Sequence, residues 1–355
     1  MALPLLSPDA FVGRIEGQAV GLYRLQSTHL QAAFCNHGAR LLELIVPDRL
    51  GQPRDVVLGH DSLQQLLLGM PSMGAFIGRY ANRIAQSRFE LGGREYRVPA
   101  NEGPHCLHGG PAGTRHRVFQ VGMHAQDRLQ LHGRLRSADD GFPGDVDVVL
   151  EYRLEGARLI LGYEATVTGA ATPLSLTAHP FFNLEGHDAD SALDHELQIV
   201  SDEFVPVDSA RIPRGYFASV QDTAFDFRRP RSLRQALAQG HVQLEIGSVP
   251  GFDHAYRTRG PAGVLHVQAR LRAPGSGIVL ELWADTPSLQ FYSGAAMDGQ
   301  LPRHAGKHGR VYRSGAALCL EPQQFPNAPN QPLFPSCICQ PGDRVRGRIE
   351  YRFSV

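Results

Sequence analysis

The sequence is almost without lysine. Lysine and arginine together number 35, but Lys307 is the only lysine. Schiff-base and pyridoxal-phosphate enzymes need a catalytic lysine, and here a single residue could serve. That residue lies in Gly-Lys-His-Gly (306–309), which lacks the GxxxxGK[ST] spacing of a phosphate-binding loop, and no GxGxxG follows a predicted strand. The sequence therefore argues against Schiff-base and nucleotide chemistry.

Net charge and long apolar runs are missing as well. The 35 basic residues balance 35 acidic ones, whereas nucleic-acid binding requires a basic surface. No apolar run reaches the roughly 18 residues of a membrane span. Residues 1–9 carry no basic region and are interrupted by Pro4 and Pro8, which argues against a signal peptide. We expect no nucleic-acid partner and no membrane partner.

The five cysteines include no CxxC pair, and we expect them to be unpaired thiols in the cytoplasm. Among the 16 histidines the close pairs are His105 with His108 and His304 with His308, and neither forms an HExxH motif. We therefore expect no metal, and a structural zinc protein ranks third among the alternatives. A GxSxG nucleophile motif is also missing.

Alternation of apolar and polar residues with a period of two dominates the chain and predicts β-strands. Hairpins are predicted for 145–152 with 158–167, for 89–98, and for 264–269 with 277–283, and a last strand for 346–353. Helical patterning is confined to 61–68 and 232–238, each of which begins with a capping residue and ends near a glycine.

Strand candidates continue from about Val20 to Phe353 without a linker or a change of composition. The 38 glycines and 25 prolines indicate many turns. We therefore predict an all-β fold, a large antiparallel β-sandwich with a few short helices, formed by residues 1–355 as a single domain.

Six segments interrupt the alternation with small, polar and histidine residues. They are GRYANRI (78–84), NEGPHCLHGG (101–110), LTAHPFFNL (176–184), PGFDH (250–254), LQFYSG (289–294) and LCLEPQQFPNAPN (318–330). Glu321 and His179 each follow an apolar run and precede a proline. A carboxylate that closes a buried strand is costly unless it is hydrogen-bonded or used in chemistry, so we expect Glu321 to be functional.

Taken together, the six segments resemble the aldose 1-epimerase (galactose mutarotase) family. That family carries GRxANRI, NNGxNxLHGG, LTxHxYFNL, GFDH, QFYTGN-like and LCLExQxxPDAPN stretches in this order. The resemblance implies a galactose mutarotase-like supersandwich whose cleft binds a free aldose and interconverts its α and β anomers without a cofactor. It also implies Glu321 as the catalytic base, His179 as the catalytic acid, and five sugar-binding residues: Asn82, Arg83, His108, Asp253 and Gln290.

The sequence departs from the family pattern at several positions beside these residues. Glu102 and His105 replace two asparagines, Ala178 stands where asparagine is usual, Ser-Gly-Ala (293–295) replaces Thr-Gly-Asn, and Asn327 replaces an aspartate. The preferred sugar among galactose, glucose and other aldoses therefore stays open. We expect a small-molecule sugar as the partner and a monomer or a homodimer.

The reaction that the resemblance implies needs only an acid and a base. Ordinary pKa values of about 4.3 for Glu321 and about 6.5 for His179 predict a carboxylate and a minority of imidazolium at neutral pH. His108 and Arg83 would stabilise negative charge on oxygen as the ring opens. Candidates for an aromatic face against the sugar are Phe181, Phe291 and Tyr292. The alternatives are a hexose-6-phosphate 1-epimerase and a non-catalytic carbohydrate-binding sandwich.

Overall fold

A computed structural model describes residues 4–355. In chain order the first strands are β1 (Gly13–Ile15), β2 (Gln18–Val20), β3 (Leu22–Gln26), β4 (Gln31–Cys35), β5 (Arg40–Pro47), β6 (Pro53–Asp55), β7 (Phe76–Ile77), β8 (Arg83–Ile84), β9 (Arg88–Leu91), β10 (Arg94–Arg97), β11 (Cys106–Leu107), β12 (Gln120–His124), β13 (Arg128–Leu135) and β14 (Asp145–Glu155). The others are β15 (Arg158–Thr168), β16 (Thr172–Pro173), β17 (Thr177–Ala178), β18 (Glu196–Ile199), β19 (Glu203–Phe204), β20 (Ala218–Ser219), β21 (Arg231–Ser232), β22 (Asp253–Arg257), β23 (His266–Arg272), β24 (Val279–Ala284), β25 (Ser288–Tyr292), β26 (Cys319–Gln323), β27 (Ile338–Cys339) and β28 (Arg344–Ser354).

Within residues 4–355, three large sheets contain 18 of these strands, and the other ten strands form five two-stranded sheets. A nine-stranded sheet has the order β12-β13-β14-β15-β28-β24-β23-β18-β21, a five-stranded sheet the order β20-β19-β22-β25-β26, and a four-stranded sheet the order β3-β4-β5-β6. Neighbouring strands within the three sheets are antiparallel. This arrangement confirms the predicted all-β antiparallel class.

The predicted hairpins are confirmed, with small shifts of their ends. Along β14, alternate side chains from Val146 to Leu154 are buried, as a strand with one face toward a core requires. It pairs with β15 over the register Asp145↔Thr168 to Glu155↔Arg158. The other predicted pairs are β9 with β10 and β23 with β24, and β28 is the predicted last strand.

Helices are short. Helix α1 (Leu63–Leu68) begins after the capping side chain of Ser62, and α3 (Leu233–Gln239) after a capping box between Ser232 and Gln235, both near the predicted positions. Helix α2 (Ser137–Asp140) was not predicted. Within residues 4–355 no helix has the length and apolarity needed to cross a membrane. Short 3₁₀ turns lie at Pro8–Phe11, Ala85–Ser87, Thr114–His116, Val242–Ile246, Lys307–Gly309 and Ala328–Asn330.

The main core lies between the sheets. One contiguous cluster contains Phe34 of the four-stranded sheet, Leu150 and Leu161 of the nine-stranded sheet, and Phe291 and Leu320 of the five-stranded sheet. Each fully buried side chain of this size contributes about 1.5–3 kcal/mol of hydrophobic free energy. The five-stranded sheet is therefore held by its apolar face, and its other face is left for polar side chains.

The predicted strand end at Glu321 is wrong. Strand β26 continues through Glu321 and Pro322 to Gln323. It is the last strand of the five-stranded sheet, where a proline without an N–H group is tolerated. Glu321 therefore sits in the middle of a strand, with a neighbouring strand to fix its orientation.

The only lysine is a structural residue. Lys307 is fully buried, and its Nζ donates to the Asp55 carboxylate and to the carbonyl oxygens of Leu42 and Val57. These contacts fasten the 3₁₀ turn at Lys307–Gly309 to the four-stranded sheet.

Candidate active site

Three neighbouring strands carry the first group of predicted site residues. Asp253 begins β22, Gln290 lies in β25, and Glu321 lies in β26 directly opposite Gln290. Cross-strand partners point to the same face of a sheet. The Gln290 amide donates from Nε2 to Asp253 Oδ1 at 2.7 Å, while its buried Oε1 has no partner within the described residues 4–355. The alternation of these strands therefore brings two carboxylates and an amide onto one polar face.

His179 reaches the same place from a different segment. It follows β17, and its backbone is held at both ends, because its N–H donates to Ala75 O and its carbonyl accepts from Gly74 N, both at 2.9 Å. The ring stacks on Phe181 with centroids 5.1 Å apart. Its Nε2 lies 3.4 Å from Glu321 Oε1. The predicted acid and base are thus adjacent, and both side chains are buried.

Asn82 and His108 form a second pair beside His179. Both have positive φ angles, 64° and 55°. The His108 N–H donates to Asn82 O, and the Asn82 N–H donates to His108 Nδ1. Since Nδ1 accepts this bond, the proton of the neutral His108 ring is on Nε2. The ring packs edge-on against His179 with centroids 5.3 Å apart.

Arg83 lies between two carboxylates. Its Nε and NH2 groups donate to the two oxygens of Glu102 at 2.6 and 2.8 Å, and NH1 is 3.6 Å from Asp253 Oδ2. Asp253 Oδ2 is also 3.5 Å from Nε of Arg211. Burial tends to lower the pKa of Arg83, but the charges of Asp253 and Glu102 raise it overall. Arg83 is therefore a fixed cation.

These residues line one open cleft with a volume of about 190 Å³. Phe181 and Tyr292 form aromatic walls of this cleft, and the Tyr292 hydroxyl accepts from Ala296 N. Phe291, the third aromatic candidate, instead lies in the core, where it stacks on Phe252. Six of the seven predicted site residues line the cleft. Gln290 does not, but it is hydrogen-bonded to Asp253, which does.

Burial shifts the pKa values of the acid and the base away from their ordinary values, in opposite directions. Desolvation, with a smaller contribution from the charge of Asp253, raises the pKa of Glu321 well above its usual value, although Arg83 opposes this. Desolvation also lowers the pKa of His179 to about 4. The pKa of His108 falls well below its usual value for the same reason. Burial therefore favours the neutral forms of both groups, with a proton on Glu321 rather than on His179.

His108, His179 and Glu321 each have a potential ligand atom within 4.8 Å of the others. The hydrogen bond from Asn82 N to His108 Nδ1 places a proton on His108 Nε2, which removes that atom as a metal ligand. Two ligands remain, fewer than the three or four protein ligands of zinc sites. With its proton on Nε2, the His108 ring can act as a hydrogen-bond donor in the cleft but not as a metal ligand through that atom.

Two cleft residues that form ion pairs with predicted site residues were not themselves predicted. Glu102 stood out only as a departure from the family stretch, and its contact with Arg83 could not be seen in the sequence. Arg211 lies in a loop with a positive φ of 60° and belongs to none of the six segments. No sequence signal marks it, because its proximity to Asp253 depends on the packing of a distant loop against β22.

The chain is similar to proteins of known name over nearly its whole length. The family model described as aldose 1-epimerase matches residues 21–352. Galactose mutarotase from Bos taurus is 38% identical over 94% of this chain and 94% of its own length. Aldose 1-epimerase from Escherichia coli K12 is 33% identical over 99% and 98%.

The fold has relatives among solved structures. A protein from C. elegans described as a GalM/aldose epimerase homologue superposes with a TM-score of 0.86 at 32% identity, covering 95% of this chain and 99% of that one. The family match covers nearly the whole chain, and the relatives exceed 30% identity over nearly their whole length. This chain belongs to the aldose 1-epimerase family.

Proposed function

We propose that this protein is an aldose 1-epimerase, an isomerase that interconverts the α and β anomers of free aldohexoses such as galactose and glucose. The observation that carries the proposal is the contact between His179 Nε2 and Glu321 Oε1 at 3.4 Å in a polar cleft. The C1 hydroxyl and the ring oxygen are bonded to the same carbon, so the acid and the base that serve them must lie side by side. The names of the relatives point to the same reaction.

The reaction moves two protons around one carbon. Glu321 takes the proton of the C1 hydroxyl while His179 gives a proton to the ring oxygen, and the bond between C1 and the ring oxygen breaks to leave the open-chain aldehyde. Rotation about C1–C2 presents the other face of the carbonyl. Reclosure reverses both transfers, so the pair ends in its starting state and no cofactor is consumed. General acid–base catalysis of this kind contributes about 10²–10⁴-fold for each group.

These roles require that His179 is protonated and Glu321 is ionised when the ring opens. Burial favours a proton on Glu321 instead, so substrate binding must be accompanied by a shift of the proton toward His179. The positive charge of Arg83 lowers the pKa of Glu321 and assists this shift. His108 presents an Nε2–H donor that stabilises negative charge on the C1 oxygen in the transition state.

The remaining predicted residues hold the sugar. Asp253 accepts hydrogen bonds from hydroxyl groups, and the unpartnered Oε1 of Gln290 offers a further acceptor. Asn82 uses its Oδ1 to accept from Arg83 N, so its amide is left to donate. Phe181 and Tyr292 supply apolar surface for the sugar ring.

The test is polarimetry with freshly dissolved α-D-glucose and α-D-galactose in buffer that contains EDTA. We expect mutarotation far faster than the buffer blank, with no requirement for a metal or a cofactor. A rate equal to the blank with both sugars would overturn the proposal. The same assay separates an enzyme from a carbohydrate-binding module, which would bind sugar without turnover.

We further propose that the chain is a single domain that works as a monomer or a homodimer in the cytoplasm. Support for a single domain is that cleft residues from Asn82 to Glu321 come from segments spread along the chain. Support for a cytoplasmic location is that all five cysteines are free.

A further inference from the structure

Glu102 holds a position where the family stretch has asparagine, and it forms the closest polar contact of Arg83. The two oxygens of its carboxylate accept from Nε and NH2 of Arg83 at 2.6 and 2.8 Å. Bidentate pairs of this kind are strong and fix the orientation of the guanidinium group. The Glu102 side chain is 37% exposed and lines the cleft, whereas the Arg83 side chain is 8% exposed. Glu102 therefore stands between Arg83 and the solvent.

A tight turn fixes the place of Glu102. Its backbone exchanges hydrogen bonds with His105, the other replaced asparagine of the same stretch. The Asn101 side chain bonds to both the N–H and the carbonyl of Leu107, and His105 Nδ1 accepts from Gln86 N. The carboxylate thus projects from a turn that is anchored on both sides.

The charges of the cleft follow from this arrangement. Arg83 faces Glu102 and Asp253, and Arg211 faces Asp253, so these two cations already have carboxylate neighbours. Arg303 also lines the cleft, and within residues 4–355 it makes no ion pair. It is exposed, so solvent and salt weaken its attraction for an anion. An anionic substituent that enters near Arg83 meets the carboxylate of Glu102 before it meets the guanidinium group.

We infer that Glu102 is a specificity-determining residue that positions Arg83 and makes the cleft select uncharged aldoses over aldoses that carry an anionic group. The inference rests on the proposed function. Its subject is the difference in affinity between neutral and anionic sugars. The negative charge of Glu102 at the entrance of the cleft raises the cost of binding an anion, whereas a neutral sugar is unaffected by that charge.

The test compares Glu102→Gln with the unchanged enzyme on D-galactose, D-galacturonate and D-glucose 6-phosphate, by exchange NMR of the anomeric protons. We expect the ratio of kcat/KM for galactose to kcat/KM for each anionic sugar to fall about tenfold in the variant, as loss of one nearby repulsion predicts. If the ratio falls for galacturonate alone, Glu102 selects only against sugars that carry a carboxylate. If it falls for both anionic sugars, Glu102 also selects against sugar phosphates. With galactose itself, KM should rise several-fold while kcat stays within about twofold, which marks a positioning role.

Two further variants control this result. Glu102→Asp keeps the charge and should keep the ratio, although its shorter reach should still raise KM. Glu95→Gln removes a comparable carboxylate that pairs with Arg88 and Arg97 outside the cleft, and it should change neither quantity.

An unchanged ratio in Glu102→Gln would overturn the inference. If that variant does not fold, the unchanged enzyme still decides the question, because electrostatic discrimination must weaken as salt rises from 20 to about 500 mM. A ratio independent of salt would then overturn it. Failure of the unchanged enzyme to act on galactose and glucose would count against the proposed function instead, so the two failures are distinguishable.

Discussion

The Nε2 atom of His179 lies 3.4 Å from Oε1 of Glu321, and the two residues reach this contact from a loop and from the middle of a strand. His179 is held by two backbone hydrogen bonds and Glu321 by its pairing with β25. The distance is therefore a property of the fold rather than of flexible side chains.

Replacement of either member of this pair should abolish most of the activity. In Glu321→Gln and in His179→Asn the rate of galactose mutarotation should fall by roughly a hundredfold or more, because each removes a group that exchanges a proton. Polarimetry measures the rate, and circular dichroism checks that each variant is folded. Near-normal rates in both variants would remove the pair from the mechanism.

The pH dependence should reveal the buried state of His179. Burial lowers the pKa of His179 to about 4, so the ring gains a proton, and the pair a second one, only below that pH. The pKa of Glu321 is raised, so the pair keeps its single proton to a higher pH than an ordinary glutamate would. We expect kcat/KM to fall on the acid side near pH 4, after subtraction of the buffer-catalysed rate. A fall centred near pH 6.5 would show a solvated histidine instead.

Loss of Arg83 should weaken sugar binding. Arg83→Ala leaves the carboxylates of Glu102 and Asp253 without their shared cation, and we expect KM for galactose to rise about tenfold or more, in line with the 1.5–3 kcal/mol of a charged hydrogen bond. Steady-state kinetics measure the change. The matched control is Arg88→Ala, which removes an exposed arginine on the neighbouring hairpin. An unchanged KM in the first variant would place Arg83 outside the substrate site.

Lys307 should matter for stability. Lys307→Met removes the cation beside the buried Asp55, and breaking a buried ion pair on one side costs about 3–5 kcal/mol of unfolding free energy. Urea denaturation measures this. Arg346→Met breaks an exposed pair with Glu164 and should change the same free energy by less than about 1 kcal/mol. Equal effects of the two variants would contradict the structural role of Lys307.

The sequence predicted the hairpins well because their signal is local. In β14 and β15 every second residue is apolar and the turn lies between them, so no distant contact is needed to recognise the pair. The predicted strand end at Glu321 was wrong because proline usually ends a strand, whereas β26 is an edge strand and has no neighbour that needs the missing N–H group of Pro322.

The site was predictable to the extent that its residues lie in motifs. The six segments identified Glu321, His179 and five further residues, and all but Gln290 line the cleft. Two other features of the site arise from tertiary packing. They are the contact of Arg211 with Asp253 and the deep burial that lowers the pKa of His179. No periodicity or spacing in the chain encodes them.

The burial of Lys307 has a practical meaning for chemical modification. Reagents that acylate or cross-link ε-amino groups find no lysine on the folded surface, since the only one is enclosed with Asp55. Enzymatic acetylation or ubiquitination of a lysine side chain would require at least partial unfolding around residue 307. Modification of this amine is therefore a reporter of unfolding, and immobilisation of the native protein through surface lysines is ruled out.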